Sequence, residues 1–399
     1  MSSTGYFQYT MRTQVHCGAG SIIRVPTLFE GLGAKRVVLF SDAGLKQVGI
    51  VDQFIEIFNN KISGNMPILA GVYTDIEPDA GCNTVNKALA YAREVAADAI
   101  LAVGGGSVLD AAKGVKYAMH HKLIDFTDVV IGGVKLEQWP YAKPIQIPHI
   151  SVPTTAGTGA EVSPVGVFHH EETNTKCNVA MPYINSDIAV LDPKLTLGLP
   201  AHLTAATGMD ALTHAMEAVA SPNANNFTDA HAMMAAQLIE QNLPKVIENG
   251  QNIDARSNML QASTMAINAF MLSFNAIPVH NCAHAFGGLY EIPHGDANSA
   301  LLPIVMEVLP EFYHASAERL AQALNLDTGG KAGAALLPDV IARLRDFQQE
   351  IGAVTNFSKW GVKPEQLGEI IMAILSDPAA HFYKIPMDRI EKIALKVIG

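Results

Sequence analysis

Five side chains able to hold a metal or move a proton fall in two short stretches of the chain. Asp210 and His214 lie in GMDALTHAMEA, and His280, His284 and His294 lie in VHNCAHAFGGLYEIPHGDAN. Residues at i and i+4 on a helix share one face, so Asp210 with His214, and His280 with His284, can each aim at one point. The turn YEIPHG can fold His294 back toward the same point. A carboxylate with several imidazoles is a ligand set for a divalent transition metal. The set holds one group more than a tetrahedral site with an open position needs, which leaves one histidine for proton transfer. Spacing does not say which. Glu217 faces the same side of its helix as Asp210 and is expected to hydrogen-bond a ligand histidine. Cys282 lies between two of the histidines and reads most simply as a small buried hydrophobe. The remaining histidines lack such context, and His169 and His170, in VFHHEETNTK, are expected in a solvated loop. HExxH is absent, which argues against a zincin-type protease.

The elements that position these residues divide into two textures. Up to about residue 200, short β-branched runs alternate with amphipathic stretches. Strands are expected at Arg36–Phe40, Pro67–Val72, Ala99–Val103 and Ile145–Val152, with helices at Leu45–Asn59, Asn83–Ala96 and Val108–Met119. This alternation predicts a parallel sheet with helices on both faces, which binds ligands at the carboxyl ends of its strands. After LDPKLTLGLP only helical patterns are found, among them 205–219, 229–242, 257–274, 301–308, 331–351, 364–375 and 386–397. The expected architecture is therefore an α/β domain over 1–198 and an all-helical domain over 199–399 that carries the candidate metal residues.

Three features of the first half suit a dinucleotide. The strand AILAV runs into Gly104, Gly105, Gly106 and Ser107 and then a helix. Such a turn exposes backbone N–H groups beside a helix N-terminus, where a pyrophosphate is stabilised. The GxGxxG fingerprint is absent, and the turn taken alone is also a plain strand-to-helix connection. The loop SVPTTAGTGAE offers the hydroxyls of Thr154, Thr155 and Thr158, with Gly157 and Gly159 allowing close backbone approach. Asp42 ends the first long strand, where a carboxylate can accept from a ribose 2′-OH or simply cap a helix. Gly18, Gly20 and the glycines of GLGAK are turn and helix-end residues.

Composition narrows the function classes. The chain has 399 residues, 49% of them hydrophobic and 16% charged, with a formal net charge of −11. That is a globular composition long enough for two cores. No run of Lys or Arg invites a nucleic acid or an anionic membrane. No apolar stretch reaches the roughly 18 residues of a membrane span, and the N-terminus has no apolar core of signal-peptide length. Cys17, Cys82, Cys177 and Cys282 form no CxxC pair, so free thiols and a cytoplasmic location are expected.

GGGSVLDAAK (104–113), PTTAGTGAEV (153–162), GMDALTHAMEA (208–218) and HNCAHAFGGLYEIPHGDAN (280–298) together resemble the iron-dependent, or group III, alcohol dehydrogenases, of the lactaldehyde reductase and 1,3-propanediol dehydrogenase type. The likeness runs from about residue 7 to about residue 395, with the four motifs in family order. It implies that the N-terminal domain is Rossmann-like and binds the dinucleotide, that the helical C-terminal domain binds the metal and substrate, and that metal and substrate lie in the cleft between the two. Carried onto this chain, the metal ligands are Asp210, His214, His280 and His294. His284 is then the non-ligand histidine beside the nicotinamide, a candidate proton relay. Gly105, Gly106 and Ser107 hold the pyrophosphate, and Asp110 buttresses that turn or approaches the ribose. Thr154, Thr155 and Thr158 meet the middle of the cofactor, Lys176 its ribose, and Asp42 favours NAD over NADP. The resemblance also implies iron as the metal, with zinc as runner-up, and a homo-oligomer.

Two stretches depart from the family pattern. Ser163-Pro164-Val165 lies in a segment that shapes the substrate pocket, and DPAAHFYKIPMDRI (377–390) replaces an Asn-Pro-Arg-type stretch, so that His381 and Phe382 are candidates for that pocket. The expected reaction interconverts small primary alcohols or short diols and their aldehydes with NAD(H). The alternatives are a zinc-dependent, glycerol-dehydrogenase-like polyol dehydrogenase and a non-catalytic metal- or nucleotide-binding scaffold. A dehydroquinate-synthase-like lyase is disfavoured, because the helical half has no basic cluster for a phosphorylated substrate.

Overall fold

The computed structural model of the chain describes residues 6–60, 66–173 and 175–398. The first five residues, part of the N-terminal stretch read above, and Gly399 lie outside them. Among the described residues nine strands lie in the first half: β1 (Gln14–Cys17), β2 (Arg36–Phe40), β3 (Ile68–Tyr73), β4 (Ala99–Gly104), β5 (Val134–Leu136), β6 (His149–Pro153), β7 (Val165–His170), β8 (Thr175–Ala180) and β9 (Ile188–Leu191). Six form one sheet in the order β1-β9-β6-β4-β2-β3, with every pair parallel. A smaller sheet has the order β5-β8-β7, with β7 antiparallel to β8.

Alternation along the central strands explains why this sheet is buried on both faces. Val37, Leu39, Leu101 and Val103 enter one apolar cluster with the helices at Val25–Gly31 and Ile50–Asn59. Val38, Phe40, Ile100 and Ala102 enter another with the helices at Cys82–Glu94 and Gly106–His121. Successive side chains of a strand point to opposite faces, so a continuous apolar run feeds two cores at once. From β2 the chain first adds β3 on one side and then β4 on the other. The strand order therefore reverses between β2 and β4, and a doubly wound sheet opens its ligand crevice at the carboxyl ends of such a pair. Phe40 and Ala102 are in register there, and the Ser41 hydroxyl donates to the Val103 carbonyl at 2.8 Å.

By contacts the chain divides into two compact units. One contains residues 11–155 and 159–197 with both sheets, and the other contains 6–10, Ala156–Thr158 and 198–398. Among the described residues the second unit has no strand. Its helix Ala201–Ala220 is buried at every position from Thr204 onward except Thr207. A helix buried all round sits at the centre of its unit, and Asn226–Glu248, Ile253–Leu272 and His294–Val308 pack against it. No described helix is long and apolar enough to cross a membrane.

The sequence expectations fail where local chemistry changes the path. The helix expected over 45–59 is two helices, Ala43–Gln47 and Ile50–Asn59, because Gly49 takes φ 79° between them. Only the end of the expected strand 145–152 is a strand, since Pro148 lacks a donor for the ladder. His169 and His170 are not in a solvated loop: they end β7, opposite Lys176 and Thr175, and His170 is buried.

Asp192 fastens the end of β9. One oxygen accepts from the Lys194 N–H at 3.1 Å and the other from the Ile22 N–H at 3.3 Å, with the residue fully buried. Asp192→Ala is expected to lower unfolding stability by about 3–6 kcal/mol, the range for two hydrogen bonds to a charged group. Asp192→Asn, which keeps one acceptor, should lose about half of that in a urea titration.

Candidate functional site

Three of the candidate ligands converge in the helical unit. Asp210 comes from Ala201–Ala220, His280 from the helix Pro278–Tyr290, and His294 begins His294–Val308. One ligand atom from each lies within 4.8 Å of the others. Nε2 of His294 is 3.4 Å, and Nε2 of His280 3.8 Å, from Oδ1 of Asp210. The helix carrying His280 ends at Glu291, whose φ of 55° reverses the chain and returns His294 to the cluster. His214 lies outside this trio, but its ring stacks on His280 at 4.6 Å. The ring of His284 stacks on His294 at 5.6 Å.

Close backbone approach makes the convergence possible. A Cβ on Gly295 would lie 2.3 Å from the Ala206 carbonyl oxygen, and one on Gly157 would lie 2.8 Å from Cβ of Thr207. Both glycines thus meet the central helix about one turn before Asp210. The sequence suggested close backbone approach at Gly157 for the sake of a cofactor; here the approach is to a helix, and Ser263 also donates to the Gly157 carbonyl at 3.0 Å.

The site is rich in acceptors and negative charge. Asp210 and Glu217 are both buried. One oxygen of Glu217 accepts from the Val279 N–H at 2.7 Å, and the other bonds Nδ1 of His280. Glu217 thereby caps a helix that has no cap of its own and turns Nε2 of His280 toward Asp210. Burial alone would push the His280 pKa down, but Glu217 and Asp210 outweigh it and raise it to about 9. Burial holds His214 down at about 4 against the pull of Asp210. Burial would raise the Asp210 carboxyl, yet the imidazoles around it keep it well below the usual carboxylate range.

Two groups here were not singled out from sequence. Nδ2 of Asn298 lies 2.8 Å from Oδ1 of Asp210, 3.1 Å from Nε2 of His294 and 3.3 Å from Nε2 of His280. An amide has two hydrogens, fewer than the three acceptors around it. Acceptors this crowded, set among buried carboxylates, fit a divalent cation. The i,i+4 spacing of His294 and Asn298 was the available signal. Asp377 is the second group: Oδ2 lies 3.1 Å from Nδ1 of His284, and Oδ1 accepts from the Ala379 N–H at 2.8 Å.

The cofactor candidates lie mostly in the α/β unit. Gly104 ends β4 and the helix begins at Gly106, with no side chain capping that end. Thr154 N–H donates to the Gly104 carbonyl at 3.0 Å, so the turn and the start of the threonine loop are adjacent. A Cβ on Gly105 would sit 3.7 Å from the Thr155 side chain. Thr158 belongs instead to the segment that joins the helical unit. Ser107 accepts from the Asp79 N–H at 3.1 Å. Asp110 bonds Lys113 at 3.0 Å and the Val167 N–H at 3.1 Å, which ties the helix start to β7. Asp42 caps the helix Ala43–Gln47 by accepting from Leu45 N–H at 2.9 Å. Lys176 lies 3.9 Å from Asp79 on the surface. Ser163 points inward, accepting from Lys113 at 3.1 Å and donating to Val165 at 2.8 Å.

Residues 12–193 match the family model described as iron-containing alcohol dehydrogenase, and residues 204–396 match the model for the C-terminal part of the Fe-containing alcohol dehydrogenase family. The chain belongs to the iron-containing alcohol dehydrogenase family. It is 35% identical to the 1,3-propanediol dehydrogenase of Klebsiella pneumoniae over 369 residues, 90% of this chain and 89% of that one. It is 32% identical to the NAD-dependent methanol dehydrogenase of Bacillus methanolicus, covering 88% of each. The crystal structure of a 1,3-propanediol oxidoreductase superposes with a TM-score of 0.87 at 32% identity, over 98% of this chain and all of that one. The parallel sheet and the helical region described above are the fold of this family.

Gly295→Ala is expected to force the start of the His294 helix away from Ala206 and carry His294 out of the cluster. The purified variant should retain less than one tenth of the wild-type bound metal by elemental analysis. A variant with full metal content would mean that the backbone contact does not set the ligand position.

Proposed function

We propose that this family member interconverts small primary alcohols or short diols and their aldehydes with NAD(H), using a divalent metal held by Asp210, His280 and His294. His214, stacked on His280, completes the proposed ligand set. The observation that carries the reading is the convergence of one carboxylate and two imidazoles on a single point in a buried, negatively charged setting. When bound, the metal supplies Lewis acidity toward an alcohol oxygen and the dinucleotide supplies a hydride acceptor. Iron is the metal proposed from the family, with zinc as the runner-up on the same nitrogen and oxygen donors.

The chain's own residues then orient and move protons. Glu217 fixes the ring of His280 through Nδ1 and leaves Nε2 for the metal. Asn298 holds the carboxylate of Asp210 in one orientation. Asp377 does for His284 what Glu217 does for His280: a proton kept on Nδ1 leaves Nε2 free to take a proton from an alcohol or return it to an alkoxide. In the α/β unit, Gly105, Gly106 and Ser107 are proposed to receive the pyrophosphate at an uncapped helix N-terminus. Thr154, Thr155 and Thr158 are proposed along the middle of the cofactor, with Lys176 near its ribose and Asp110 as the buttress of the turn. The second oxygen of Asp42 remains available for a ribose hydroxyl while the first caps its helix, and a carboxylate there disfavours a 2′-phosphate. The proposed division of labour is a dinucleotide domain over 1–198 and a metal and substrate domain over 199–399, working in the cytoplasm as a homo-oligomer.

Two measurements test this reading. His280→Ala should lose bound metal and, with it, NADH oxidation by a short aldehyde such as propanal; full activity at full metal occupancy would sink the ligand assignment. Glu217→Gln should weaken metal affinity about 10–100-fold, the usual loss when a ligand histidine's partner is altered. Equal affinities in the two proteins would show that Glu217 only packs.

A further inference from the structure

An aromatic path leads outward from the metal cluster. The ring of Phe270 lies 4.9 Å from those of both His214 and His280. Phe274 follows at 5.9 Å and 83°, and Phe382 at 5.2 Å and 85° beyond it. Exposure rises along the path: Phe270 is 4% exposed, Phe274 is half-buried and Phe382 is 56% exposed.

The path returns to the cluster by a second route. Phe382 follows the short turn Pro378–His381, which Asp377 caps. The other oxygen of Asp377 holds His284, whose ring stacks on His294. Phe382 is therefore tied to the cluster twice, through aromatic contacts on one side and through Asp377 and His284 on the other. Two polar groups of the facing turn are engaged elsewhere. The Ser273 hydroxyl donates to Ala269 at 2.8 Å, and the Phe274 carbonyl accepts from Asn223 at 3.1 Å.

We propose that Phe382, backed by Phe274 and Phe270 and held in place by Asp377, is the specificity-determining residue for the substrate's tail, and that it selects apolar-tailed primary alcohols and aldehydes over diols and hydroxyaldehydes. This rests on the alcohol dehydrogenase reading above. A reacting oxygen at the cluster leaves the rest of a small substrate to run along these rings. An alkyl tail there gains apolar contact with every methylene, worth about fourfold in binding for each. A terminal hydroxyl at the same place loses water and meets ring edges in return.

Butanal and 3-hydroxypropanal differ only by a terminal methyl against a hydroxyl, so they make the test pair. Wild-type metal-loaded enzyme should show kcat/KM for butanal about 10–100-fold above that for 3-hydroxypropanal, the scale on which an apolar pocket rejects an added hydroxyl. Phe382→Ala should lower that ratio about tenfold, with the change in KM, because tail contacts act equally on bound substrate and transition state. Phe382→Asn should raise kcat/KM for 3-hydroxypropanal above the wild-type value, a gain that misfolding does not produce. A wild-type ratio at or below one, or a ratio that Phe382→Ala and Phe382→Asn both leave unmoved, would overturn the proposal. Ethanal separates the two levels of the argument. If loaded enzyme oxidises NADH with none of the three aldehydes, the dehydrogenase reading fails and the proposal falls with it; turnover of ethanal with no selectivity at Phe382 overturns the proposal alone.

Discussion

Two carboxylates buried on one side of a single helix are the constraint around which the helical unit is built. Asp210 and Glu217 sit in the middle of an Ala- and Met-rich segment whose other side chains are packed against apolar neighbours. A buried carboxylate without partners is strongly destabilising. Each therefore dictates what comes near it. Glu217 requires a backbone N–H and an imidazole at a fixed separation, which places the start of the helix Pro278–Tyr290. Asp210 requires positive charge or hydrogens, which brings His294 and Asn298 from the helix beginning at His294. The small residues of the central helix, and Gly295 opposite them, are what let those backbones come close enough.

The α/β unit meets a different requirement. Strands β2 and β4 are apolar along their buried length, so side-chain chemistry at this pair lies at the strand ends. The reversal of strand order between β2 and β4 gathers Asp42 and the Gly104–Ser107 turn at neighbouring carboxyl ends. Among the described residues, the two buried lysines of that unit are both occupied: Lys113 ties Asp110, Ser163 and β7 together, and Lys116 donates to the Asn185 carbonyl at 2.7 Å.

Much of this arrangement is legible in the sequence because it follows from short-range periodicity. β2 and β4 stand out as apolar runs bounded by turn residues, and the central helix is recognisable from Asp210 and His214 at helical spacing. The small sheet is not legible: β7 ends in His169-His170 and β8 begins at Thr175, polar residues whose strand character comes from pairing with each other. The cluster is legible in part. His214 follows Asp210 at helical spacing, and its ring stacks on His280 beside the trio. Asn298 shares a helix face with His294 at i,i+4, but an isolated Asn carries no signal of its own in the sequence. The pairing of Asp377 with His284 joins residues 93 positions apart, and no local pattern announces it.

The threonine loop has a consequence for how this chain can be inherited. Residues 154 and 155 are counted with the α/β unit, and Ala156–Thr158 with the helical one, as are residues 6–10 at the start of the chain. A gene fragment ending at Leu197 would carry both of those segments away from the unit in which they pack, and the complementary fragment would lack them. The backbone therefore passes between the two units four times, after Thr10, Thr155, Thr158 and Leu197. A recombination junction at Leu197 would cut one connection and also part those two segments from the unit they pack in, which favours inheritance of the chain as one length.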